Sequence, residues 1–211
     1  MYIPEHFRED SLPVLHNVIR EIRFGTLTTA DERGIEANHF PMLIDETKGP
    51  LGTLCGHMAR ANPQWQRAKS GNQALAIFLG PSAYVTPSWY PSKRETGRVV
   101  PTRNYIAIHA YGEISFYDDP SELKAHVSQL TDVHEANRSE PWSVSDAPAD
   151  FIERMIAGIV GFRLAITNIQ GKWKMSQNRT AADMAGAREG LAREGREESR
   201  AVAAQMADGR E

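Results

Sequence analysis

Residues 81–112, PSAYVTPSWYPSKRETGRVVPTRNYIAIHAYG, decide how the rest of this chain is read. Two β-type segments, 83–86 and 105–111, enclose a linker carrying three prolines, two aromatics and four basic residues. A linker of this length inside a compact domain means either disorder or a function. Trp89, Tyr90 and the flanking strands are the order-promoting residues that disordered segments lack, so an ordered binding loop is expected. Its Ser88, Trp89, Tyr90, Lys93, Thr102 and Asn104 offer an aromatic wall, neutral hydrogen-bonding groups and one cation. That mixture suits a planar, partly anionic ligand. The same two aromatics are equally suited to capping the core from outside, the polar tip wet and the ring buried.

Working outward, the segment from Tyr105 to Tyr117 reads as one long strand bent at Gly112. Upstream, QALAIFLG at 73–80 is an apolar run bounded by glycines, hence a buried strand. Residues 23–29 and 35–44 form a predicted hairpin turning at ADERG, with Pro41 at an edge or a bulge of the second strand. A third short strand is predicted over 51–57 and a late one over 160–169. Leu12, Leu15, Val18, Ile19 and Ile22 lie on one face of a short helix, with Pro13 in its first turn. Asp119-Pro120-Ser121-Glu122 is a capping box for a helix to about Ala136, and Asp146-Ala147-Pro148 opens another. Six or seven short, turn-linked strands without long crossover helices predict a mainly β fold with peripheral helices, an antiparallel barrel. One barrel domain is expected over 1–180, followed by a charged helical tail over 181–211, mostly solvated from Ala187 onward.

The chain has 211 residues, 41% hydrophobic and 24% charged, with a net charge of −3. Its isoelectric point near 6.2 gives no general basic field for nucleic acid. No apolar run approaches the length of a membrane span and the start lacks the layout of a signal peptide, so a cytoplasmic location is expected. The single Cys55 cannot form an internal disulfide. Seven scattered histidines give no metal-ligand spacing, and no nucleophile motif marks a catalytic residue. Asn62 before Pro63 has the chemistry of a helix start. A strand ending in His57 and Arg60 just ahead of it would form a phosphate cradle from dipole, open amides and guanidinium. A solvated arginine and a satisfied core histidine are the plainer alternatives.

Several stretches are also alike in kind to one family. EANHFPMLI at 36–44, GHMARANPQW at 56–65, YVTPSWYPSK at 84–93, VVPTRNYIAIHAYG at 99–112, SDAPADFIERMIAGIVG at 145–161 and GKWKMSQNR at 171–179 resemble PaiB-type proteins, the FMN-binding negative transcriptional regulators. The resemblance runs in order from Met1 to about Leu191. It implies an FMN-binding split β-barrel, FMN as cofactor, and a homodimer with flavin at the interface. It places His57, Arg60 and Asn62 at the FMN phosphate and Asn38, His39 and Phe40 along the isoalloxazine. Lys93, Asn104, Trp173, Lys174 and Gln177 would approach from the partner subunit or the barrel mouth. Arg103 departs from the family, where tryptophan is expected. The function implied is a flavin-binding transcriptional regulator, although no charge pattern supports DNA as a partner. Two alternatives are a small flavin-dependent oxidoreductase and a haem-binding or haem-degrading split-barrel protein, since flavin redox chemistry belongs to the cofactor.

Overall fold

Phe24–Asp31 (β2) and Gly34–Asp45 (β3) form the hairpin that their alternation predicts, in register from Phe24 opposite Pro41 to Asp31 opposite Gly34. A computed structural model describes residues 1–207 of the chain. The last four positions of the expected tail, 208–211, lie outside the described residues. The remaining strands are Arg8–Glu9 (β1), Thr53–Ala59 (β4), Gln73–Val85 (β5), Thr102–Tyr117 (β6) and Ile159–Lys174 (β7). The helices are Leu12–Ile22 (α1), Gln64–Ala68 (α2), Pro91–Thr96 (α3), Pro120–Glu135 (α4), Ala149–Ala157 (α5), Ala181–Arg193 (α6) and Glu197–Ala207 (α7).

The strand order is β1-β7-β4-β3-β2-β5-β6, and β6 pairs back to β7. Strands β2 to β7 therefore close a six-membered ring, and β1 adds to β7 at Arg8 opposite Lys172. The β1–β7, β2–β3, β2–β5, β3–β4 and β4–β7 pairings are antiparallel. This is the antiparallel barrel with peripheral helices expected from the short, turn-linked strands. Pro41 sits where β3 leaves β2 and turns to β4, whose pairing begins at Met42 opposite Gly56. A residue without an amide costs nothing at that hand-over.

The chain divides into two compact units. One, here the hairpin unit, holds residues 16–78 and 109–169; the other, the loop unit, holds 1–15, 79–108 and the chain from 170. Strands β5, β6 and β7 run through both.

In the hairpin unit Leu27, Met42, Leu54, Met58, Phe78, Phe162 and Leu164 are buried. Large rings need missing side chains opposite them. A Cβ on Gly56 would fall 2.3 Å from Phe162 Cζ, and one on Gly112 would fall 2.0 Å from the Ala165 carbonyl oxygen. The glycine of the expected bend in β6 is therefore a point of close backbone approach.

In the loop unit the 3₁₀ turn Pro87–Trp89 and α3 lie on α6. A Cβ on Gly186 would meet the Trp89 carbonyl oxygen at 2.2 Å, and one on Gly190 would meet Trp89 Cδ2 at 2.2 Å. Two glycines four residues apart share a helix face, and here they form the seat for Trp89. The buried Asp183 carboxylate accepts bonds from the Ser92 amide (3.1 Å) and hydroxyl (2.6 Å). Ala187, Leu191, Val202 and Ala203 are buried as well. The described segment from Ala187 is thus mostly exposed but packs one face inward, because its few small and apolar residues align between the charges.

Candidate functional site

The sequence-predicted residues fall in both units. In the hairpin unit, alternation along β3 turns His39 outward and Phe40 inward. His39 is exposed, its Nδ1 is 2.9 Å from Thr26 Oγ1, and its ring stacks on exposed Phe24 with centroids 6.0 Å apart. Phe40 is buried against Phe162, centroids 5.6 Å apart, and so belongs to the core. Asn38 donates to Gln64 Oε1 at 3.1 Å. Gln64 is fully buried, and its amide nitrogen reaches the Leu27 carbonyl, Thr29 Oγ1 and the Glu36 carbonyl. Asn38 is therefore one end of a satisfied buried network that pins α2 to the hairpin. Asn62 Oδ1 accepts from the Gln64 amide at 2.9 Å, the capping role expected of it, at a helix only five residues long.

Arg60 has partners within the fold. Its Nε donates to the Ala157 carbonyl at 2.8 Å and Nη2 to the Ile159 carbonyl at 3.1 Å, with Nη1 at 3.4 Å from Asp118 Oδ2. The guanidinium closes the C-terminal end of α5, where carbonyls lack helical partners and a cation is favoured. His57 Nδ1 lies 3.2 Å from Nε2 of buried His126 on α4. Burial lowers the pKa of both, and that of His126 falls to about 4, with His57 and then Arg163 adding to the effect. Each ring is neutral at pH 7, one donating to the other. His126 also lines a cleft of about 620 Å³ with Cys55, Tyr117, Glu122 and Arg163. Arg163 donates to Glu122 at 2.6 Å and lies 4.0 Å from the Tyr117 ring centroid. Cys55 is half-buried and its thiol pKa is raised by burial. His126 stood in the sequence only as one of seven scattered histidines, because it sits three residues after Leu123 on a stripe that reads as packing.

In the loop unit, Asn104 is fully buried, and its side-chain amide is within 3.1 Å of Ser176 Oγ through both oxygen and nitrogen. Trp173 is buried, and its carbonyl accepts from Gln177 Nε2 at 2.6 Å. Gln177 Oε1 accepts from the Met175 amide at 2.7 Å, so Gln177 ties the turn after β7 that carries Ser176 at φ +68. Lys93 is exposed and donates to Ser88 Oγ at 3.1 Å. Lys174 bonds Thr102 Oγ1, and Arg103 donates to Ser82 Oγ at 3.0 Å. Burial lowers the Lys174 pKa; Tyr105 opposes this, while Lys172 and Arg179 reinforce it. The aromatics of the opening loop pack inward, Trp89 on α6 and Tyr90 buried beneath Arg179, whose Cζ is 5.1 Å from its ring centroid.

Residues 1–168 match the family model described as "Putative FMN-binding domain". The chain belongs to this FMN-binding family. It is 33% identical over 208 residues to the protease synthase and sporulation protein PAI 2 of Bacillus subtilis, covering 99% of this chain and 97% of that one. It is 35% identical over 238 residues to an uncharacterised protein of Emericella nidulans, covering 96% and 95%. Among solved structures, the FAD and heme binding protein of Mycobacterium smegmatis superposes with a TM-score of 0.58 at 14% identity over 85% of this chain and 79% of that one. The flavocytochrome Anf3 of Azotobacter vinelandii does so with 0.60 at 10% over 85% and 73%. The fold is therefore the split barrel of flavin-binding proteins, and the family fixes the cofactor as FMN. Among the described residues no helix is long and apolar enough to cross a membrane, and no cluster of three or more ligating side chains suits a metal.

FMN brings a flat ring system and a dianionic phosphate, and each unit, taken by itself, holds groups whose chemistry suits one of them. The hairpin unit offers the Phe24–His39 stack beside Thr26 as a flat surface with hydrogen-bonding groups. The loop unit offers Lys174 and Arg179, cations whose closest groups are a hydroxyl and a ring. Charges partly removed from water without a carboxylate suit an anionic ligand.

Proposed function

We propose that this protein is an FMN-binding transcriptional regulator of the PaiB type that acts as a homodimer in the cytoplasm. The observation that carries the reading is the 33% identity to PAI 2 over nearly the whole of both chains. The outer face of the β2–β3 hairpin supports the dimer. It exposes Phe24 and Ile35, 59% and 78% accessible, around Thr26 and His39. Exposed apolar side chains at both ends of one sheet face give a partner something to bury, and a two-fold axis covers two copies of it at once. In this reading Asn38 and His39 are the flavin-contacting candidates of the hairpin unit, with His39 against the ring, and Lys93, Asn104, Lys174 and Gln177 are, separately, those of the loop unit. Phe40 and Trp173 are each buried within their own unit, and His57, Arg60 and Asn62 build the strand-to-helix corner of the hairpin unit.

The test is a mobility-shift titration of the DNA upstream of the protein's own gene, with and without FMN, alongside sedimentation at micromolar concentration. A dimer whose DNA affinity changes about tenfold or more on adding FMN, a coupling of about 1.4 kcal/mol, is the expected result. A monomer of about 23.5 kDa, or DNA affinity indifferent to FMN, overturns it.

A further inference from the structure

The cleft beside α4 gathers groups that neither the barrel nor the flavin reading uses. Its back wall is one row of the sheet. Leu43 lies opposite Cys55 and Cys55 opposite Arg163, so these three side chains share one face. Its front wall is one face of α4, where Glu122, Ala125, His126 and Gln129 recur at helical spacing. All of these residues belong to the hairpin unit, and the volume of about 620 Å³ lies within the range of small-molecule sites. Across the cleft Arg163 Nη2 donates to Glu122 Oε2 at 2.6 Å, and Arg163 Cζ lies 4.0 Å from the Tyr117 ring centroid, which fixes the plane of the guanidinium. Among the described residues the Nε and Nη1 donors of Arg163 and the Oε1 acceptor of Glu122 have no hydrogen-bond partner. A pair whose side chains are 34% and 49% exposed adds little to stability. His126 is 7% exposed, and its Nε2 is engaged with His57. Its Nδ1 has no partner among the described residues and is not sealed from solvent, so it opens on the cleft that His126 lines.

We infer that this cleft binds a free α-amino acid, at a site independent of the flavin. The Arg163–Glu122 pair presents a positive and a negative group side by side. An α-amino acid carries a carboxylate and an ammonium on one carbon. Laid antiparallel to the pair, it gives its carboxylate to the open donors of Arg163 and its ammonium to the free oxygen of Glu122. A guanidinium has enough N–H donors to hold two carboxylates at once. A simple amine or a simple acid answers only one of the two charges. A ligand of zero net charge also suits walls of both signs, since Asp45 and Lys48 form a second pair, 3.3 Å apart, at the rim. Leu43, Ile44 and Ala125 supply apolar surface for the ligand's side chain, and His126 Nδ1 and the Gln129 amide supply hydrogen-bonding groups for a polar tip. L-Glutamine combines both features and is the first probe.

The experiment titrates the full chain by calorimetry with L-glutamine and then with each of the other proteinogenic L-amino acids. In parallel it follows the reaction of the protein thiol with an aromatic disulfide reagent. Cys55 is the only cysteine in the chain, so the thiol reports on this cleft alone. At least one amino acid is expected to bind saturably and to protect the thiol over the same concentration range. The matching amine, which lacks the carboxylate, and the matching acid, which lacks the ammonium, should bind at least about tenfold more weakly. Glu122→Gln and Arg163→Gln, each checked for fold by circular dichroism, should weaken the amino acid by about tenfold or more, the size of one lost charge-assisted hydrogen bond. If Arg163→Gln does not fold, Glu122→Gln on the more exposed partner decides. No binding heat with any amino acid overturns the inference. So does binding that leaves the thiol as reactive as before, that the amine or the acid reproduces, or that survives Glu122→Gln undiminished.

Discussion

Acidification should destabilise this protein through His126 well before its carboxylates titrate. His126 is buried under α4 with its ring on His57, and its pKa falls from 6.5 to about 4, burial being the largest cause. Between those values the unfolded chain binds a proton that the folded chain refuses, so stability falls as pH drops through the window. From pH 7 to 4.5 the loss from His126 is about 2 kcal/mol. His57, lowered by its own burial, acts in the same direction. Asp31, held near 2 by its hydrogen bond from Arg67, loses its contribution only at lower pH and leaves the window clear. Urea unfolding at pH 7 and 4.5, on wild type and on His126→Gln, isolates the effect. Glutamine keeps a polar group facing His57 and does not titrate. Wild type should lose about 2 kcal/mol more than the variant across the interval, or roughly 4 to 8 °C in midpoint for a chain of this size. Equal losses in the two proteins would refute the reasoning and place the acid sensitivity elsewhere.

Gly190→Ala drives a methyl into Trp89 and should cost about 2 kcal/mol as overpacking, read by chemical unfolding; a neutral result would mean that Trp89 does not seat on α6. Arg60→Ala leaves the end of α5 without its donors and should cost about 1 to 2 kcal/mol, discounted because the side chain is 39% exposed. Its ratio of FMN to riboflavin affinity should not change, whereas a selective loss of FMN would return the phosphate to Arg60.

The barrel was legible because its signals are local. Alternation in residues 24–45, the glycine-bounded run at 73–80 and the capping chemistry at Asp119 each report a short stretch of backbone, and each stretch sits where its pattern puts it. Asn62 likewise caps the turn its sequence predicts. What escaped depends on residues far apart. Arg60 meets the end of α5, 97 residues later, through two of its donors, a contact that no local signal announces. The strand predicted over 160–169 runs on to Lys174, taking in the first four residues of GKWKMSQNR, because β1 and β6 lie ready to pair with it. The charges of the tail outnumber the apolar positions on its buried face, so composition pointed to solvent where geometry put Leu191 and Val202 inside. His126 carries no motif at all; only the approach of α4 to β4 makes it half of a pair.

Equilibrium titration of the purified, flavin-stripped protein decides whether this barrel holds FMN. Saturable quenching of FMN fluorescence at one flavin per chain is expected, with FMN bound at least about tenfold more tightly than riboflavin. No saturable binding of either flavin, or a protein that takes up haem and shows a Soret band while ignoring FMN, would contradict it.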